Sequence, residues 1–311
     1  MTRLHAPRAS HMSALEWSTM ILLGALWGSS FLFNKIALRE LPHFSLVCMR
    51  LILATAFLVL MVHAFGHSMR QSWRAWRGIA MMGLVNNFVT FNFTTYGQTY
   101  ISAGLAAILA ASAPLFIVVL AHVFTHDEKL TRRKVAGVLA GVAGVAVIMG
   151  PDALRGIGDH VTAQLAVLVS AAAMATAGII GRRLKDIPPV VSAAGQAATS
   201  MLLMIPLALF HDHPWELAMP GAATWWSIAG LAVIGSGISY VLYFRLLASV
   251  GSTNVILVNL LTPVSAILLG VLFVGESVEP RHMAGMLMIA AGLAAIDGRI
   301  LTWLRARVAG A

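Results

Sequence analysis

The sequence predicts an all-α integral membrane protein of ten transmembrane helices, arranged as two inverted five-helix repeats. Its composition, the spacing of its apolar stretches and a duplicated pattern of Pro, Glu and Gly predict this fold. The 311 residues are 59% hydrophobic and only 11% charged, against roughly a quarter charged in an ordinary soluble domain. The mean hydropathy is +0.84. Because one bilayer crossing takes about 20 apolar residues, ten crossings occupy most of the chain and leave little for an extramembrane domain.

Ten apolar stretches are long enough to cross the bilayer, and short breaks that contain Gly, Pro, Arg or Asp separate them. Residues 1–16 are predicted to form a polar cytoplasmic tail. The first apolar stretch has no small-residue cleavage site, which is typical of a retained span and not of a cleaved signal peptide. The predicted spans are residues 17–37, 43–64, 76–96, 101–124, 133–150, 161–181, 189–210, 223–246, 253–275 and 281–302.

Lysines and arginines are distributed unevenly between alternate loops. With the N-terminus inside, and with the cations near span ends counted in the adjacent segments, sixteen of the 21 cations are assigned to the cytoplasmic side, three to the outer side and two, Lys35 and Arg50, to spans. Positive residues are retained on the cytoplasmic side during insertion, so this bias predicts an even number of spans and two cytoplasmic termini. The net charge of +9 is therefore interpreted as an orientation signal, and no nucleic-acid partner is expected. Cys48 is the single cysteine, which excludes an internal disulfide.

A pattern of matching residue types recurs in the two halves of the chain. Leu41-Pro42 opens the second span and Ile187-Pro188 opens the seventh, and a proline lies inside both the fourth and the ninth span. The repeats are predicted at residues 17–150 and 161–302. Because five spans is an odd number, the second repeat enters the membrane in the opposite direction, an arrangement typical of transporters. The later matching residues are Pro114, Glu128, Gly137 and Gly144 in the first repeat, and Pro263, Glu276, Gly285 and Gly292 in the second.

These features resemble the EamA family of the drug/metabolite transporter superfamily, which includes bacterial exporters of aromatic amino acids. The resemblance is carried by the repeated tails, by Arg50-Leu51 in the second span, and by Leu26-Trp27-Gly28-Ser29-Ser30-Phe31 with Lys35 in the first. It covers nearly the whole chain. It implies a ten-helix inner-membrane exporter of small metabolites without a cofactor, and it leaves the substrate open.

Lys35 and Arg50 are the two cations placed inside predicted spans. A charge at the centre of a membrane helix costs at least ~2.5 kcal/mol, so it has either a partner or a function. In one interpretation they form a positive outer vestibule that attracts a carboxylate, and Arg50 binds substrate. In the other, Lys35 snorkels to lipid headgroups and Arg50 caps helix carbonyls as a structural tie.

Polar and aromatic residues form stripes on the third and eighth spans, which are equivalent under the repeat. Spacings of three and four residues place each stripe on one helical face. Paired stripes on equivalent helices predict two walls of a central cavity, although single Ser or Thr residues also hydrogen-bond helices together. The predicted substrate-binding residues are Asn87, Phe91 and Thr94 in the third span and Ser236, Ser239, Tyr240 and Tyr243 in the eighth.

Pro114 and Pro263 interrupt the fourth and ninth spans at equivalent positions. Each removes a backbone hydrogen bond to the residue four before, which frees the carbonyls of Ala110 and Asn259. Such breaks are tolerated where the backbone lines a cavity or a neighbour satisfies it. We predict both prolines to be hinges and Asn259 to bind substrate. Trp27, in the middle of its span, is a further candidate for the cavity wall, although core packing explains it equally well.

Together these features predict a transporter that exports amino acids or related compounds by alternating access, with lipids as its surroundings and a monomeric or homodimeric state. An exporter of drugs, nucleosides or sugars is an alternative within transport. An integral-membrane enzyme is an alternative outside it, but no HExxH or GxSxG motif and no long loop indicates a catalytic or metal site. No Asp or Glu falls in mid-span, which favours a facilitator or exchanger over a proton antiporter.

Overall fold

The computed structural model describes residues 13–124, 131–149, 159–181, 184, 186–250 and 258–297. Helices dominate these residues, and no strand occurs among them. Thirteen α-helical segments are labelled here in chain order. They are α1 Ala14–Ala37, α2 His43–Ala64, α3 Trp73–Met82, α4 Thr90–Tyr100, α5 Ala103–Ala110, α6 Ala113–Phe124, α7 Arg132–Met149, α8 Asp159–Gly181, α9 Pro189–Asp212, α10 Ala222–Ala232, α11 Ser239–Val250, α12 Val258–Val274 and α13 Pro280–Asp297.

Six helical stretches are long and apolar enough to cross a membrane. The helices α7 and α12 contain shorter apolar stretches. The predicted all-α integral membrane protein is therefore confirmed, and the count of ten spans stays a prediction. The six stretches are Ala14–Ala37, His43–Ala64, Ala103–Leu120, His160–Gly181, Pro189–Asp212 and Ala222–Tyr243.

Local sequence explains where several helices begin. Ser13 and Glu16 form a capping box at the start of α1, in which each side chain accepts a backbone N–H of the other residue. Ser72 and Ser102 accept N–H groups at the starts of α3 and α5. The helices α2 and α9 follow Pro42 and Pro188, whose fixed φ suits a helix start.

Two π-helical segments interrupt the third and eighth predicted spans. They are Gly83–Val89, between α3 and α4, and Val233–Ile238, between α10 and α11. Three hydroxyls span the widened turns by donating to carbonyls five residues earlier: Thr90 to Val85, Ser236 to Leu231 and Ser239 to Ile234. The π-helical turn is rare and is frequent at functional sites.

The two prolines of the fourth and ninth spans have different effects on their helices. Pro114 lies in the first turn of α6, after a break at Ala111 and Ser112 that separates α5 from α6. Pro263 lies inside α12, which is continuous through it. The fourth span is therefore a broken helix, whereas the described part of the ninth loses only the one backbone hydrogen bond that proline cannot donate.

Helix packing joins the first half of the chain, α1 to α7, to the second half, α8 to α13. The helix α1 packs on α12, and in the reciprocal relation α8 packs on α5 and α6. The helix α1 also packs on α10 and α11, and α8 packs on α4. Equivalent helices meet in the pairs α2 with α9, α5 with α12, and α7 with α13. Most of the contacts between the halves thus have a counterpart with the halves exchanged.

Three carboxylates cap helix N-termini that belong to the opposite half of the chain. Asp212, at the end of α9, accepts the N–H and hydroxyl of Ser45 in α2 at 2.6 and 2.8 Å. Glu40, after α1, accepts the Gly221 N–H and Thr224 hydroxyl at the start of α10, both at 2.7 Å. Pro42 and Gly221, which precede α2 and α10, have no side chain able to cap them.

The third of these carboxylates is Glu276, which follows α12. It accepts the N–H groups of Ala103 and Gly104 at the start of α5, at 2.6 and 3.3 Å. All three caps lie at one end of the bundle, because α1, α4, α9 and α12 end there and α2, α5 and α10 begin there. We call Glu40, Asp212 and Glu276 the carboxylate caps. The charge distribution predicts that this end faces outward.

Candidate functional site

A cavity of about 180 Å³ lies between helices of both halves of the chain. For comparison, a cavity of about 150 Å³ accommodates benzene. Its wall is mostly apolar, with a few polar groups that converge on it. Its lining residues are Trp27, Ser30, Phe31 and Asn34 of α1, Arg50 of α2, Thr90, Phe91 and Thr94 of α4, Ala107 and Ala110 of α5, Ala111 in the break after α5, Ser170, Ala171 and Met174 of α8, Gly235 of the second π-helical segment, and Asn259 and Thr262 of α12.

Arg50 is the charged residue of this wall. Its side chain is 6% exposed, and its guanidinium carbon lies 3.8 Å from the centre of the Phe91 ring, in a cation–π contact. Its Nε has no hydrogen-bond partner among the described residues. No described carboxylate forms an ion pair with it. A buried guanidinium without a carboxylate can hold an anionic group of a solute through its remaining N–H donors.

The hydroxyls of the wall have their protons engaged. Ser170 donates to the Thr90 carbonyl at 3.1 Å, so in its 2.6 Å contact with Thr94 the Thr94 hydroxyl is the donor. Thr262 donates to the Val258 carbonyl at 3.0 Å. Each hydroxyl carries a single proton, and these groups therefore offer the cavity lone pairs and no further donor.

Five of the ten predicted substrate-binding residues line this cavity: Trp27, Arg50, Phe91, Thr94 and Asn259. Ala110 and Asn259 both belong to the wall of this cavity. Their backbone carbonyls are the ones that lack a donor because of Pro114 and Pro263. Pro114 and Pro263 thus remove backbone hydrogen bonds at the cavity itself. Irregular backbone at membrane depth is tolerated in such a place.

The other five predicted residues lie elsewhere. Asn87 is buried and accepts from the Asn86 amide, which also donates to the Tyr240 hydroxyl and to Gln196. Ser236 donates to the Leu231 carbonyl in α10, and Ser239 donates to the Ile234 carbonyl in the second π-helical segment. The ring of Tyr243 packs 5.7 Å from that of Trp27. The structure does not bring these five side chains to the cavity wall.

The π-helical segments explain this difference between the sequence-based stripes and the cavity wall. The stripes assumed a uniform α-helical period along each span. A π-helical turn closes with a bond between residues five apart, so it takes one more residue than an α-helical turn. A residue inside the segment then leaves the face that is formed by residues after it, as Asn87 does relative to Phe91 in the third span.

Lys35 does not reach the cavity wall. Its ammonium donates to the carbonyls of Gln98 and Ile101, at 2.8 and 2.9 Å, and thereby caps the end of α4. This contact is a structural tie between α1 and α4, and neither of the two interpretations of Lys35, a vestibule for a carboxylate or snorkelling to lipid headgroups, included it.

Asn34 is a cavity residue that the sequence analysis missed. It follows Trp27, Ser30 and Phe31 on α1 at spacings of three and four, so helical periodicity places these residues on one face. That periodicity is the signal by which this wall could have been found.

Groups of three or more His, Cys, Asp or Glu that could hold a metal do not occur in the described part of the chain. His211 and Asp212 belong to the sequence HDH between the seventh and eighth predicted spans. The distance between the His211 Nδ1 and the Asp212 Oδ1 is 3.4 Å. Asp212 is one of the carboxylate caps, which accounts for its position at this end of α9.

Comparison with known proteins places these features in a family. The model of the EamA-like transporter family matches twice, at residues 15–150 and 161–296. Similar proteins include the uncharacterized transporter YoaV of Bacillus subtilis, 22% identical over 88% of this chain and 94% of the relative. The WAT1-related protein At3g02690, chloroplastic, of Arabidopsis thaliana is 26% identical over 87% of this chain and 66% of the relative.

Two further similarities agree with this match. The uncharacterized inner membrane transporter YedA of Escherichia coli strain K12 is 22% identical over 85% of this chain and 84% of the relative. A solved crystal structure has the same fold, with a TM-score of 0.64 and 21% identity over 91% of this chain and 95% of that one. The two matches of the family model cover most of both halves of the chain, and the protein belongs to the EamA-like transporter family.

Proposed function

We propose that this membrane transporter exports amino acids or related small metabolites by alternating access around the cavity between its two halves. The proposal places the protein in the inner membrane, with ten spans in two inverted repeats and with both termini in the cytoplasm. The five predicted substrate-binding residues that line the cavity and the two predicted hinge prolines form part of the same proposal.

The observation that carries the substrate class is Arg50. Its guanidinium lies in the wall of a largely apolar cavity, is 6% exposed and has no carboxylate partner among the described residues. An uncompensated cation at membrane depth is costly, and a carboxylate on the solute compensates it. The apolar wall and the volume of about 180 Å³ suit a small organic acid or amino acid better than a lipophilic cation.

Inverted repeats are supported by the reciprocal packing of the two halves. A pseudo-twofold axis in the membrane plane exchanges each helix with its equivalent, and so it generates contacts in reciprocal pairs. The packing of α1 on α12, and of α8 on α5 and α6, is such a pair. The π-helical segments recur in the third and eighth spans, which also agrees with a duplicated unit.

Alternating access is supported by the carboxylate caps. All three connect the halves at the end predicted to face outward, through hydrogen bonds that a small separation of the halves would break. The proposed outward-closed state is held by these bonds. Opening toward the outside requires Glu40, Asp212 and Glu276 to release their helix N-termini while the cavity closes toward the cytoplasm.

The experiment begins with a thermal-shift screen of the purified protein against amino acids, sugars and nucleosides, followed by uptake of the stabilising compounds into proteoliposomes. We expect amino acids to stabilise the protein. Arg50→Gln should then weaken uptake roughly 10- to 100-fold, because a hydrogen bond to a charged group contributes about 1.5–3 kcal/mol.

The matched control is Arg245→Gln, which removes the charge of an exposed arginine near the predicted inner end of α11. It should leave uptake unchanged. Stabilisation by sugars or nucleosides alone would refute the substrate class. Unchanged kinetics in a folded Arg50→Gln variant would refute the role of Arg50.

A further inference from the structure

Asn34 of α1 is a cavity residue with an unused hydrogen-bond acceptor. It lines the same cavity as Arg50 and is 3% exposed. Its Oδ1 has no partner among the described residues. Buried polar atoms in native proteins are nearly always hydrogen-bonded, so an unpaired one at a ligand cavity calls for an explanation.

Hydrogen bonding fixes the orientation of the Asn34 amide. The Gln98 amide nitrogen donates to the Phe31 carbonyl at 2.8 Å, and a backbone carbonyl can only accept. Gln98 must therefore present its Oε1 to Asn34, whose Nδ2 donates to it at 3.0 Å. Rotating the Gln98 amide would place two donors against each other, and rotating the Asn34 amide would place two acceptors against each other. Asn34 consequently has to keep its oxygen as the free group.

The neighbouring polar groups of the wall offer acceptors as well. The hydroxyls of Thr94, Ser170 and Thr262 have donated their protons to other protein atoms. Pro114 leaves the Ala110 carbonyl without its usual backbone donor. The wall thus includes the Arg50 guanidinium, two further side chains that can donate, Trp27 and Asn259, and several acceptors, and the guanidinium and acceptors together complement a solute that has an anionic group and an N–H donor.

We infer that Asn34, oriented by Gln98, accepts a hydrogen bond from the amino group of the substrate and is a specificity-determining residue. The inference rests on the proposed function, in which Arg50 binds the carboxylate of the same molecule. It goes further by stating that the carrier distinguishes an amino acid from the carboxylic acid that lacks the amino group. The carboxylic acid without the amino group can still bind Arg50, but it leaves the Asn34 Oδ1 without a hydrogen-bond donor.

The test compares leucine with 4-methylpentanoate, and alanine with propanoate, as competitors of amino-acid uptake in proteoliposomes. In the wild-type protein, the amino acid of each pair should compete roughly 10-fold or more better. Asn34→Leu, which has a similar volume and no acceptor, should bring this ratio close to one.

Asn92→Leu is the matched control. Asn92 is also buried and also has an Oδ1 without a partner among the described residues, but it does not line the cavity. Its variant should keep the wild-type ratio. An unchanged ratio in a folded Asn34→Leu variant would overturn the inference.

The wild-type ratio can contradict the inference even if Asn34→Leu does not fold. Equal competition by both members of a pair contradicts the role of Asn34 but leaves carboxylate binding at Arg50, and hence the proposed function, standing. No binding of either member contradicts both.

Discussion

Replacing Glu276 with Gln tests whether the carboxylate caps hold the predicted outer end closed. Glu276 accepts the N–H groups of Ala103 and Gly104 at 2.6 and 3.3 Å. A charged group at a helix N-terminus stabilises it by about 0.3–1 kcal/mol, and loss of an N-terminal cap costs about 0.5–2 kcal/mol. Because Gln keeps one acceptor oxygen, we expect a loss of about 1 kcal/mol in the closed state. That loss corresponds to a roughly 5-fold shift toward the outward-open state.

Labelling of a single cysteine measures this shift. Cys48, the single native cysteine, is replaced by Ala, and Ala110 in the cavity wall is replaced by Cys. A membrane-impermeant maleimide is then applied from the outside. The labelling rate of the Glu276→Gln variant should rise about 5-fold, since the population of the open state sets the rate when opening is fast.

Glu279→Gln is the control for this experiment. Glu279 lies in the same segment between α12 and α13, and it pairs with Arg281 at 2.6 Å without contacting the other half of the chain through that bond. Its variant should label at the parental rate. The reasoning is refuted if Glu276→Gln labels no faster than Glu279→Gln, or if labelling rises only from the cytoplasmic side.

Three further outcomes are expected. The Thr224 hydroxyl and the Gly221 N–H lower the pKa of Glu40 below its ordinary value of 4.5. The cap is therefore fully present above that value and is lost as the pH falls through the lowered pKa. Thermal unfolding below pH 4.5 should then lose more stability in the wild type than in Glu40→Gln, and parallel curves would contradict this. Gly292→Ala should destabilise the protein by about 1–3 kcal/mol, because its Cβ would lie 2.5 Å from the Gly137 carbonyl. Gly178→Ala, with no neighbour nearer than 4.0 Å, should not destabilise it in the same assay. A pH gradient across proteoliposomes should not drive substrate accumulation, since no carboxylate falls in mid-span, and strong accumulation would contradict a facilitator or exchanger.

Helix positions were the most predictable part of this structure. The predicted second span, 43–64, coincides with α2, and the predicted seventh, 189–210, ends two residues before α9 does. These helices depend on local properties, namely apolar length and a proline that sets the first turn. The hydrogen bonds lost at Pro114 and Pro263 were also predictable, but the sequence treated the two prolines alike, whereas among the described residues only the fourth span is broken at its proline.

Side-chain positions along the third and eighth spans were less predictable. The two π-helical segments change which residues share a helical face. Neither the hydropathy nor the residue spacing of these spans predicted them. As a result Phe91 and Thr94 line the cavity while Asn87 does not. The carboxylate caps were missed for another reason, because Glu276 and Ala103 are 173 residues apart in the chain.

The sequence by itself determined that the chain is an apolar, repeatedly membrane-spanning protein with an internal duplication, because length, hydropathy and repeated residues are local properties. Only the tertiary structure decided which polar groups meet. The Asn34 amide obtains its orientation from Gln98, 64 residues away, and through it from the Phe31 carbonyl. Arg50 faces a cavity because helices from both halves pack around it. Such contacts depend on how helices are packed in three dimensions, and helical periodicity describes one helix at a time.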